Sequence, residues 1–231
     1  MDDTPEGAWV SLGDFDVARS DLVGPGSPWD DVIPAEVDAR VGADVRALMP
    51  AQGWRQVTPW KPQDRANNST LFAALIDGGW ALVGLVEREG IGPILTGDPG
   101  PVRVRASRWE RRRGLELRGA QHTLRCRPSE LSRLSVRLVN AGGEPWTADP
   151  DDHAYVHGWL RDASGARKGS DWFAYSPGSY SLPALLAPGE SVELPVDFGP
   201  ALTDLTPGTY GVEVAMHTFD LHGDIGVVEI W

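Results

Sequence analysis

The stretch "LSVRLVNAGGEPW", Leu134 to Trp146, decides the fold class. Leu134, Val136 and Leu138 alternate with Ser135 and Arg137, giving one apolar and one polar face, as in a half-buried strand. Asn140-Ala141-Gly142-Gly143 ends the alternation with turn chemistry, and Pro145-Trp146 follows. A large aromatic placed directly after such a turn is expected to cap the core, with its ring under a loop. Working outward from this stretch, "LELRG", "HTLRCR", "HAYVHGWLRD", "SVELPVDF", "TYGVEVAMH" and "IGVVEIW" repeat the signature at near-even spacing. Val192, Leu194, Val196 and Phe198 form a second inward row, and Tyr210, Val212, Val214 and Met216 a third. Seven short alternating strands without a helical period predict an antiparallel β-sandwich over 115–231.

The first half reads differently. Residues 1–33 are acidic and rich in Gly and Pro, with net charge −7 over the first 31, and read as an irregular arm carrying Trp9, Phe15 and Trp29 as anchors. Residues 34–114 read as a small α+β region. Val37, Val41, Val45 and Leu48 form one stripe between Pro34 and Pro50, which predicts a helix over 35–49. Residues 51–69, with Trp54 and Trp60, read as loop. The apolar runs around Asp77-Gly78-Gly79 predict a hairpin over 71–88, with a helical alternative for 71–77. "GIGPILTGDPGP" reads as a connector, since it lacks the lysine and the strand–turn–helix setting of a phosphate-binding loop. Val102, Val104 and Ala106 then alternate with arginines. The expected whole is mainly β, an antiparallel β-sandwich with a smaller N-terminal α+β part.

"VRLVNAGGEPW", "GWLRDASG", "LLAPGESVELPVDF" and "LTPGTYGVEVAM" together resemble a recurrent immunoglobulin-like module. Their Pro-Gly-Glu and Pro-Gly-Thr-Tyr turns are similar to those of the tryptophan-marked Ig-like domain of autophagy receptors and of Ig-like accessory domains of bacterial enzymes. The resemblance covers 115–231. It implies non-catalytic work: spacing, docking and recognition through a sheet face or loops.

Charge narrows the partners. Net charge is −12, yet 103–137 holds eleven arginines against three glutamates, so that segment is +8. A reversal of this size points to a protein partner, or to pairing with the chain's own acids. Nucleic acid is disfavoured, because no aromatics interleave with these arginines and the rest of the chain repels phosphate. No run approaches the about 18 consecutive apolar residues of a membrane helix. The acidic N-terminus is unlike a secretory signal, and the lone Cys126 suits a reducing compartment, so a cytoplasmic address is expected.

Candidate sites follow from residue type. The long connection 163–183 carries Trp172, Phe173, Tyr175 and Tyr180 among Ser and Gly, the composition of a recognition loop. Arg103, Arg105, Arg111, Arg112 and Arg113 are the candidate electrostatic contacts. His153, Tyr155 and His157 share a strand face; with His217 and His222 the histidines could hold a zinc or iron ion, although no compact metal motif is present. Cys126 shares a face with Leu124 and is expected to be buried and inert. No nucleophile elbow or isolated carboxylate pair stands out. No cofactor is expected. The reading is a non-enzymatic binding or assembly protein that docks an acidic protein surface or a second copy of itself. Two alternatives stay open: a carbohydrate-binding module stacking sugars on Trp172, Tyr175 and Trp159, and a metal-dependent enzyme built on the strand histidines.

Overall fold

A computed structural model describes residues 7–13, 15–59, 70–88, 90, 92–120, 123–150, 152, 154–169, 182–199, 202 and 205–231. The chain is mainly β and divides into two compact units, Met1–Arg108 and Trp109–Trp231. Among the described residues no helix is long and apolar enough to cross a membrane.

The first unit starts with a hairpin where an irregular arm is expected. Strands β1 (Trp9–Leu12) and β2 (Phe15–Ala18) pair antiparallel, and Val10, Leu12 and Val17 are fully buried. These three apolar side chains suffice to fix the segment despite its acidity. Asp16 is buried with them, accepting hydrogen bonds from Ser11 Oγ (2.8 Å) and the Arg108 backbone N–H (2.9 Å) and pairing with the Arg108 guanidinium at 3.3 Å. One arginine of the basic segment thus points inward.

The expected helix over 35–49 is instead two short ones, α2 (Ala35–Asp38) and α3 (Ala43–Leu48), after a single-turn α1 (Trp29–Val32). Gly42 enters α3 with extended backbone and breaks the stripe: Val37 is buried, whereas Val45 and Leu48 are exposed. Strands β3 (Arg55–Val57), β4 (Thr70–Ile76), β5 (Gly79–Arg88) and β6 (Gly92–Val102) form one antiparallel sheet in that order. β4 therefore takes the strand form over 71–77, not the helical alternative. β6 occupies the segment expected to be a connector; its prolines are tolerated because it is an edge strand, where fewer N–H groups must serve a ladder. Phe72, Ala74, Ala81 and Val83 face Trp29, Ile33, Val37 and Met49, with Trp29 set edge-on to Trp54 at 5.1 Å. The opposite face, Leu71, Ala73 and Leu82, packs with Val10, Leu12, Val17 and Val57. The short β7 (Val104–Ala106) pairs with β1, and its apolar row lies at a margin, Val104 remaining 39% exposed.

The second unit begins within the short helix α4 (Arg108–Arg111). Its strands are β8 (Leu115–Gly119), β9 (Thr123–Cys126), β10 (Ser135–Asn140), β11 (Trp146–Thr147), β12 (Val156–Arg161), β13 (Arg167–Lys168), β14 (Leu185–Leu186), β15 (Ser191–Asp197), β16 (Gly208–Met216) and β17 (Leu221–Ile230). One curled sheet runs β8-β10-β15-β12-β16-β17-β9, with β13 also on β12, and β11 pairs with β14 apart from it. Pairing is antiparallel except β12 with β15, joined only at Val156–Val196 and His157–Asp197, and β17 with β9. The inward rows read from the sequence, Val136 and Leu138, Leu194 to Phe198, and Tyr210 to Met216, meet in one core.

The opening stretch closes this core as its chemistry demands. Asn140 is buried; its amide donates to the carbonyls of Glu144 (2.8 Å) and Leu186 (2.9 Å) and accepts from Gly142 N–H (3.0 Å). Trp146 is 7% exposed, sits edge-on to Phe219 at 5.5 Å, and donates its indole N–H to the Arg111 carbonyl at 2.7 Å. It is core.

Candidate binding face on the central strands

Strand β12 is buried on both sides along most of its length. Val156, Gly158 and Leu160 point into the core; a Cβ on Gly158 would lie 2.4 Å from Val196 Cγ1 and 2.7 Å from Phe198 Cε1, so only glycine fits there. The opposite row is Tyr155, His157, Trp159 and Arg161. Register sets it beside β16, with His157 opposite Ala215, Trp159 opposite Glu213 and Arg161 opposite Gly211.

The row is pinned at both ends. Tyr155 donates to Asp197 Oδ2 at 3.0 Å, and its ring lies nearly parallel to that of His157, 6.4 Å away. His157 meets Trp159 edge-on at 4.5 Å and is fully buried. The Arg167 guanidinium of β13 covers the Trp159 ring at 4.3 Å and donates to Glu213 Oε2 at 2.9 Å. Arg161 donates to the other oxygen of Glu213 and, at 2.8 Å, to the Gly165 carbonyl. Burial alone would raise the Glu213 carboxyl, but hydrogen bonds from Arg161 and Arg167 outweigh it and hold the group below the ordinary glutamate value. Lys168, half-exposed, stands 3.7 Å from Asp162. The result is a preset surface: two arginines on paired strand positions, one lying over a tryptophan, held by a shared carboxylate.

Tyr155 gives a direct check on this geometry. Burial, then the hydrogen bond and charge of Asp197, push its phenol up to about 12 from the usual 10. A raised folded value means that the contribution is whole below pH 10 and is lost as pH climbs through 12. In an absorbance titration of the four tyrosines, one is expected to ionise near 12 and to vanish in Tyr155→Phe, and Asp197→Asn should bring it part of the way down. All phenols titrating together near the free value would show that the contact does not exist in solution.

Most residues singled out from sequence lie elsewhere. Trp172, Phe173, Tyr175, Tyr180 and His153 fall outside the described residues. Arg103 and Arg105 belong to the first unit, where Arg103 is exposed and Arg105 half-buried. Arg111 and Arg112, in the second unit, are turned into the fold: Arg111 pairs with Asp152 and lies over Phe219, and Arg112 grips the side chain (2.9 Å) and carbonyl of Asp220. Arg113 is exposed and lies over the exposed Trp109 at 5.3 Å. About half of the segment's excess of +8 is met by acids from outside it, Arg108 by Asp16, Arg111 by Asp152, Arg112 by Asp220 and Arg125 by Glu229, while Arg118 and Arg133 pair within it with Glu116 and Glu130.

The described histidines are His157, His217 and His222. His217 and His222 are 6.4 Å apart by ring centroid, and His222 leans on Asp220 at 3.3 Å. Among the described residues no group of three or more His, Cys, Asp or Glu is placed to hold a metal ion. Cys126 is buried, and burial, then the charge of Glu130, raises its thiol, so it is a poor nucleophile. Trp159 offers no open ring to a sugar, because Arg167 covers it. Sequence reading placed Tyr155 and His157 on one strand face; two further steps of the same period reach Trp159 and Arg161. Glu213, Arg167 and Asp197 join them only through strand pairing, which no local pattern encodes. No family model, no curated protein and no solved structure matches the chain.

Proposed function

We propose that the chain is a non-enzymatic binding protein whose second unit is an Ig-like sandwich, and that it docks an acidic protein surface, a second copy of itself included, on the outer face of β13–β12–β16. Three features support the sandwich. The first strand is divided, β8 pairing antiparallel with β10 and β9 parallel with β17. β10–β15 and β12–β16–β17 form two groups joined by only two residue pairs, as two packed sheets would be. Tyr210, at the start of β16, donates its hydroxyl hydrogen bond to the Thr206 carbonyl at 2.8 Å, the corner that marks the sixth strand of such domains. This is the "PGTY" turn picked out from sequence.

The single observation that carries the docking reading is the Arg167–Trp159–Glu213–Arg161 cluster. Arginine over tryptophan is the pairing enriched where interfaces concentrate their binding energy. Here the guanidinium planes are oriented in advance by Glu213, so little side-chain entropy remains to be lost on docking. Arg161 and Arg167 keep about half of their side-chain surface open. The acidic counterpart is abundant, since outside 103–137 the chain carries −20. Light scattering on a sizing column should show association at about 50 mM salt that is lost at about 500 mM, where screening is nearly complete. The double substitution Arg161→Gln with Arg167→Gln should abolish it. A monomer at both salt concentrations, for parent and variant alike, would defeat self-docking.

A further inference from the structure

Between the α2–α3 turn and β6 the first unit keeps a trough of about 420 Å³. The buried Met49 and Val83 form its floor, Val41 and Val45 line the helical side, and Ile94 and Leu95 line the strand side. Its volume is within the range of about 300–1,000 Å³ usual for small organic ligands. Polarity in the lining is concentrated: Arg40 is the one cation among the described lining residues, and no carboxylate is among them. In a chain as acidic as this one, that is a selective placement. Arg40 is also engaged within the fold, and a guanidinium with five N–H donors can serve a carboxylate in addition to such a contact.

Two glycines in the lining have different reasons to be there. Gly97 is dictated by its backbone: its φ is +145°, and a Cβ would fall 2.4 Å from the Leu82 carbonyl oxygen. Gly42 is not. Its φ of −58° suits any residue, and a Cβ built on it meets nothing within 4 Å. Gly42 therefore leaves open a space that a side chain could occupy without strain.

We propose that this trough binds a small amphipathic carboxylate, a medium-chain fatty acid by class. Its hydrocarbon would lie on the valine and isoleucine walls, and Arg40 would receive its carboxylate. The site is independent of the docking face on the second unit, and the two can fail separately. The test uses the full chain, with methyl NMR at about 0.15 M salt, titrated with octanoate and in parallel with n-octanol. Octanoate should shift the Val41, Val45, Ile94 and Leu95 methyls saturably, with n-octanol weaker by about tenfold for want of the charged hydrogen bonds. Arg40→Gln should reduce octanoate to the level of the alcohol. Gly42→Leu should weaken both by about tenfold or more with the rest of the spectrum unchanged, and Gly42→Ser should bind as the parent does. Equal binding of acid and alcohol would overturn the carboxylate assignment. Absence of saturable shifts up to about 10 mM, or binding indifferent to Gly42→Leu, would overturn the site.

Discussion

Asp152→Ala is expected to cost the second unit about 3–5 kcal/mol, the range for breaking one side of a buried ion pair. The side chains of Arg111 and Asp152 are only 10% and 1% exposed, so removing the carboxylate leaves a guanidinium with little water to turn to. The same carboxylate accepts from the Asp149 backbone N–H at 2.9 Å, and that bond goes with it. Arg111 cannot swing out freely, because it lies over Phe219 and donates to the Thr218 carbonyl at 3.3 Å. The loss is large against the ~5–15 kcal/mol that holds a domain together. Urea unfolding should show it as a fall in midpoint at unchanged slope. Replacing both partners, Arg111→Met with Asp152→Leu, should restore stability to within about 1–2 kcal/mol, since an apolar pair of similar volume escapes the desolvation cost. If the single and double variants are equally unstable, the site needs the charge for another reason and the ion-pair account fails.

That pair also shows where sequence stops being informative. The strands of the second unit were legible because each carries its own period-two pattern, and Val136, Leu138, Leu194, Val212 and Val214 are buried as that pattern requires. Asp152 and Arg111 lie 41 positions apart in a chain with 33 acids and 21 lysines and arginines. Nothing local selects one partner among so many. In the first unit local composition misleads: β1 and β2 are four residues each, and the acids around them hide three buried aliphatics. β6 contains three glycines and three prolines, and it is a strand because β5 offers it a ladder rather than through its own propensity. Helix 35–49 is interrupted between Asp38 and Ala43, and Gly42 enters the second piece with extended backbone. For the proposed face the row on β12 was half visible, and two of the arginines expected to serve a partner, Arg111 and Arg112, are engaged within the fold. Arg161 and Arg167 escaped notice because they lie outside the eye-catching basic segment.

Trp146→Ala is expected to be as damaging, at about 3–5 kcal/mol, because it removes a large core side chain that the surroundings cannot collapse to fill. Its ring meets Phe219 edge-on, and Phe219 is itself fully buried under Arg111. Its N–H also satisfies the Arg111 carbonyl, so the substitution leaves a backbone acceptor stranded beside a cavity. Trp146→Phe separates the two effects. It keeps the edge-to-face contact, loses the hydrogen bond, and should cost only about 1–2 kcal/mol. Trp146 and Asp152 act on one residue, Arg111, through its carbonyl and its guanidinium respectively. Once either is gone, Arg111 and Phe219 are free to shift, so the second loss removes less. Trp146→Ala combined with Asp152→Ala should therefore fall short of the summed single costs by about 1 kcal/mol or more. Strict additivity in urea unfolding would mean that the tryptophan and the ion pair stabilise the second unit separately, and that Arg111 is not the hinge pin between them.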